Sequence, residues 1–116
     1  MSGQTYRPES GFRYEIPYRV MVPKGVDHLL VAGRCVSVTH VALGSIRVMF
    51  ACMVMGEAAG AAAVLSLREE VSPRELPRTC CKGQLKRQGA ILDDETFRRA
   101  NVCPFARRFV VAYQRL

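Results

Sequence analysis

Tryptophan is absent from this chain of 116 residues, histidine occurs only twice, and acids are outnumbered by bases, 10 against 17. No CxxC pair occurs, so a structural zinc site has no support in the sequence. The five cysteines, at positions 35, 52, 80, 81 and 103, are odd in number and irregular in spacing. That is a poor disulfide framework, and a bridge between the adjacent Cys80 and Cys81 would be strained. Reduced thiols in a cytoplasmic protein are the expectation. The first fifteen residues, MSGQTYRPESGFRYE, hold no apolar core of the kind a secretory signal needs. Length and composition together exclude a collagen-like chain, a disulfide knot, a coiled-coil rod and a two-domain enzyme.

Apolar residues make up 49% of the chain, enough for a packed core. The length suits one small domain or a piece of a larger one. The formal charge is +7, and most of the cations are arginine.

Residues 12–22, FRYEIPYRVMV, alternate with period two. Phe12, Tyr14, Ile16, Tyr18, Val20 and Val22 share one face, which predicts a half-buried strand. Pro17 cannot donate to a ladder and implies a sheet edge or a break into two short strands. Pro23 to Gly25 supply a turn. The run Leu29, Leu30, Val31, Ala32 then reads as an inner strand covered on both faces and ending at Gly33. Residues 34–46 read as a loop, and a long helix follows from about Val48 to Arg68. Gly56 and Gly60 lie on one face of it, where they cost about 2 kcal/mol together against alanine. Close approach by another backbone or a ligand would compensate. Ser72, Pro73 and Glu75 have the spacing of an N-cap, N1 and capping-box acid. Short helices are expected over 72–92, interrupted by Pro77 and Gly83 and stopped at Gly89. Residues 93–116 show no stable pattern, and no internal repeat is present.

Residues 48–65, VMFACMVMGEAAGAAAVL, carry a single charge, Glu57, and admit two readings. One is a short membrane span with a small-residue dimer face. The other is a soluble helix buried on most sides. Glu57 at mid-segment and the weak hydrophobicity of the Ala/Gly-rich second half favour the soluble reading, with no membrane partner.

A loop that leaves a strand and enters a helix N-terminus favours an anion, through unpaired N–H groups and the helix dipole. Arg34 and Arg47 flank that entry with planar forks suited to phosphate oxygens. Gly33 and Gly44 admit a ligand to the backbone, and Ser37, Thr39 and Ser45 offer hydroxyls. The pattern points to a phosphorylated, partly apolar cofactor. The bland alternative is a loop packed on its own fold, with both arginines in surface pairs.

The linked elements IPYR, LLVAGR, TH, ALGSIRVM and GEAAG, in that order across residues 16–66, resemble the C-terminal flavin-binding segment of a family of FAD-dependent oxidoreductases. The resemblance continues more loosely to residue 92. It implies an α/β fragment: the C-terminal strand and long helix of a Rossmann-like FAD-binding fold, with a flanking β segment and short C-terminal helices. It implies FAD as cofactor, held in part by Gly33, Arg34, His40, Gly44, Ser45, Arg47, Met49 and Gly56. Residues 42–49 would wrap the ribityl chain and flavin ring. The long helix would aim its N-terminus at the flavin or its phosphates. Gly56 and Gly60 would pack against the first helix of the fold, and His40 would lie near the flavin or the pocket for an unidentified small-molecule substrate. No catalytic residue is assigned.

The chain departs from the family at Phe50, where proline is frequent, and at Val41, where an acid is frequent. It also holds no GxGxxG fingerprint, the element that takes the adenosine and pyrophosphate in the family. The expectation is therefore the last quarter of an oxidoreductase, inactive alone and completed by an N-terminal half. It divides into a disordered 1–11, a partial FAD-binding domain over 12–92 and an atypical basic tail over 93–116. A second reading is a small basic module for nucleic acid or another partner, through Arg98-Arg99 and Arg107-Arg108 interleaved with Phe97, Phe105 and Phe109.

Overall fold

The computed structural model describes residues 14–92 together with Val111 and Ala112. The predicted boundaries at 1–11 and 93–116 therefore lie outside the described residues, apart from that last pair. Two-residue strands β1 (Tyr14–Glu15) and β2 (Val111–Ala112) pair in parallel, Tyr14 opposite Val111 and Glu15 opposite Ala112. Three helices carry the rest: α1 (His40–Ile46), α2 (Met49–Arg68) and α3 (Arg78–Arg87). The architecture is mostly helical with a small β element, in line with an α/β fragment.

The strand expected over 12–22 is not continuous. Pro17, at φ −65° and ψ 137°, leads into a 3-10 turn over Tyr18–Met21, closed by Val20 N–H donating to Pro17 O at 3.1 Å. The locked proline φ and missing N–H end the ladder, as the sequence warned, but the chain coils instead of starting a second strand. Coiling changes which side chains face inwards. Ile16 is buried as the alternation requires, yet so is Met21, which the period-two pattern assigned to the opposite face.

The run 29–32 also differs from expectation. It is extended, with Val31 N–H donating to Met21 O at 2.8 Å, but it forms no strand among the described residues. Leu29 is 45% exposed and the next three residues are half-buried. An inner strand needs paired neighbours on both edges, and the described residues supply only that single bond. Gly33 then takes φ +71° and opens a second 3-10 turn, Gly33–Cys35.

Part of the expected loop is helix. Thr39 sits at the N-cap in extended geometry, and its Oγ1 accepts from Ala42 N–H at 3.4 Å. This cap starts α1 despite the β-branched Val41 and the glycine at 44.

Helix α2 runs as predicted and organises the core. Ala51, Met55, Ala58, Ala62 and Leu65 recur every three or four residues, and with Ala61 and Ser66 beside them they bury one face. Cys81 and Leu85 of α3 are buried with them, and Cys81 Sγ lies 4.0 Å from Ala58 O. Small alanines let the two helices approach closely. The opposite face is exposed at Met53 (66%), Val64 (49%) and Leu67 (79%), and at Gly56, Glu57 and Gly60. The expectation of burial on most sides is thus corrected to burial on one side. By length and composition α2 could cross a membrane. In this structure its buried half is the core of the molecule.

The capping-box residues do bond as predicted, Ser72 N–H to Glu75 Oε2 at 3.3 Å and Arg74 N–H to Ser72 Oγ at 3.3 Å. They close a single turn and not a helix, because Pro77 follows and instead stands at the N-cap of α3. Gly83 lies inside α3 without interrupting it. Both long helices end the same way. Val71 N–H reaches back to Ser66 O at 3.0 Å, and Ala90 N–H to Leu85 O at 2.9 Å. Each ending needs a left-handed residue: Gly89 at φ +86° serves α3, and Glu70 at φ +53° serves α2.

Candidate functional site

Three pieces of chain converge at the start of α2. The 3-10 turn Gly33–Cys35 packs on α2 and on α1. A side chain at Gly33 would stand 3.7 Å from Cys52 Cβ and 3.8 Å from its Sγ, so α2's first turn is the immediate neighbour of that glycine. This spacing is ordinary contact. What demands glycine at 33 is its positive φ. Arg34 donates from Nε to Arg47 O at 3.5 Å, which ties the turn to the short link between α1 and α2. Cys52 Sγ lies 3.7 Å from Ile46 O and closes the same junction from the inside.

Helix α2 opens at Val48, whose side chain provides no cap, and its first turn holds no acid. A twenty-residue helix with such an opening presents partial positive charge at that end. Arg34 and Arg47, both exposed, stand beside it. The opening of α2, a positive-φ glycine and two guanidinium groups make an arrangement suited to an anionic group on a ligand.

The structure brings Gly33, Arg34, Arg47 and Met49 together at this junction. Met49 is α2's first residue and is 72% exposed. Gly56 lies one turn beyond Cys52 on the exposed side, and a side chain there would meet nothing within 4 Å. The same holds for Gly60, so the close approach expected at these two glycines is not made among the described residues. His40 and Gly44 are exposed on α1, one turn apart. Ser45 is exposed, and its carbonyl accepts from Tyr14 OH at 2.8 Å, anchoring α1 to β1. Residues 40–46, the second half of the stretch expected as a loop, are helical and form a short rod at the junction.

Two features escaped the sequence reading. The Thr39 cap was visible as a threonine three residues before Ala42, but His, Gly and Ser around it resembled loop. The Tyr14–Ser45 contact spans 31 residues and left no local signal. Burial raises the Tyr14 hydroxyl pKa. Tyr18 OH donates to Pro73 O at 2.9 Å, and burial, followed by the neighbouring Cys81, pushes its pKa up to about 12. The Cys81 thiol is raised by burial and then by Cys80, so it stays protonated in the core. The described residues contain no cluster of metal-binding side chains. The basic pairs at 98–99 and 107–108 lie outside the described residues.

The junction has the charge and the open helix N-terminus that suit an anionic group. The chain's family is more specific than its geometry: residues 2–86 match the FAD dependent oxidoreductase family, and the protein belongs to it. FAD is that family's cofactor. No curated protein and no solved structure matches the chain.

Proposed function

We propose that this chain forms the flavin-facing C-terminal part of an FAD-dependent oxidoreductase, within a Rossmann-like fold whose adenosine and pyrophosphate half is supplied by a separate GxGxxG-bearing segment. The observation that carries the reading is the opening of α2, where Val48 provides no side-chain cap, between Arg34 and Arg47 and beside the left-handed Gly33. The donor set fits the cofactor: two guanidinium forks and a helix dipole suit phosphate or the anionic edge of a flavin, and glycine permits close backbone approach. Arg34 and Arg47 orient the group by charge. Ser45 and His40 offer polar contacts from α1, and Met49 offers an apolar one. When bound, FAD supplies hydride or electron-pair transfer, and the protein's task is to position and tune it.

Flavin absorbance retained after mixing the purified full chain with FAD and desalting tests the reading, alone and with a GxGxxG-bearing half supplied in trans. Retention that falls in Arg34→Gln and Arg47→Gln is the expected result. A chain that retains no flavin even when complemented, or retains it equally in both variants, contradicts it.

A further inference from the structure

A second concavity borders the Gly33–Cys35 turn of that junction. Its volume is about 430 Å³, within the range of small-molecule sites. One wall comes from the Tyr18–Met21 turn and the residues after it, through Arg19, Val20, Val22, Pro23 and Lys24. The other comes from Val31, Cys35 and Ser37. The two walls are joined by the Val31 N–H to Met21 O bond at 2.8 Å. Behind them Arg74 donates from Nη2 to Pro23 O at 2.6 Å and lies 3.9 Å from Asp27.

The lining separates by exposure. Val20, Val22, Pro23 and Val31 are half-buried and form an apolar floor, while Arg19, Lys24, Cys35 and Ser37 are exposed and form the rim. The acid nearest in sequence to Lys24, Asp27, is turned to Arg74. Neither Arg19 nor Lys24 makes an ion pair with a described residue. Two uncompensated cations and a hydroxyl over an apolar floor call for an anionic head on a compact hydrocarbon body.

We infer that this cavity binds a small apolar monocarboxylate, its carboxylate held by Arg19 and Lys24 with Ser37 donating, and its hydrocarbon part on Val20, Val22 and Val31. Of the residues named as able to serve the flavin, only Ser37 lines it; Arg34 and Arg47 do not, so the variants that test the flavin reading leave this cavity's lining intact.

Equilibrium dialysis of labelled octanoate against the purified full chain tests this. Saturable binding is expected, with 1-octanol, which lacks the charge, failing to compete. Arg19→Gln and Lys24→Gln should each weaken binding by about tenfold, the usual loss for a charge-assisted contact. Arg78→Gln, at the start of α3, removes an equal charge elsewhere and should leave it unchanged. Thermal melts of each variant separate lost binding from lost folding. Val31→Glu, which places an acid on the floor, should abolish binding in a chain that still melts cooperatively. Absence of saturable binding, equal loss in Arg78→Gln, or displacement of octanoate by FAD overturns the inference. Flavin retention measured on the same sample reports on the other site independently.

Discussion

A left-handed backbone at a glutamate is a local conflict, one that His28 shares at φ +55°. Glu70 ends α2 at φ +53°, the position Gly89 fills at the end of α3. A side chain in that conformation costs about 1–2 kcal/mol, and glycine avoids the cost. Glu70→Gly should therefore stabilise the protein by about 1 kcal/mol, and Gly89→Ala should destabilise it by a similar amount, both read as shifts in urea midpoint. Tyr18 carries a second residue-scale prediction. Its folded pKa stands near 12 against an unfolded value of 10. The folded state thus holds the phenolic proton more tightly, so the stabilisation is complete below pH 10 and is lost as pH rises from there towards 12. Melting temperature should fall across that interval in the wild type. The fall should be shallower in Tyr18→Phe, which has no proton to lose and starts less stable for want of the bond to Pro73.

At the scale of elements, α2 explains both the success and the failure of sequence reading. Its bounds were legible because twenty residues without proline, rich in Ala, Met and Leu, leave no competing structure. Its surroundings were not, because both faces are apolar and no amphipathic stripe shows which one is covered. Gly89 announced a helix end through its chemistry, whereas Glu70 could not. The strand expected at 12–22 is kept only as Tyr14–Glu15, and the one at 29–32 does not form among the described residues, for one reason: β structure requires partners that local pattern does not reveal, and here Pro17 and the lack of neighbours among the described residues let the chain coil or merely extend. The candidate site was legible as residue types, Gly33 with Arg34 and Arg47, and the structure added the contact that unites them. Gly56 and Gly60 give this scale its prediction. Nothing in the described structure stands within 4 Å of a side chain at either, and both lie inside a helix. Each Gly→Ala change should stabilise the chain by about 1 kcal/mol, measured by denaturant titration. Destabilisation would mean that the exposed face of α2 is already packed.

For the whole molecule, those same glycines separate folding from assembly. Helix α2 keeps its buried half against α3 and exposes Met53, Val64 and Leu67 on the other. A helix that is apolar all round belongs in the interior of something larger. If a GxGxxG-bearing segment completes the flavin fold, its helix should cross α2 where Gly56 and Gly60 allow backbones to come close. Alanine there would then have opposite consequences in the two settings: a more stable isolated chain, and a weaker complex. The measurement is flavin retained after desalting a mixture of the two parts, compared between wild type and Gly56→Ala/Gly60→Ala. Reduced retention, together with raised stability of the isolated variant, would locate the assembly surface on α2 and leave the Arg34–Arg47 junction facing the cofactor. Unchanged retention would move the assembly surface elsewhere, while the flavin reading would still be judged by Arg34→Gln and Arg47→Gln.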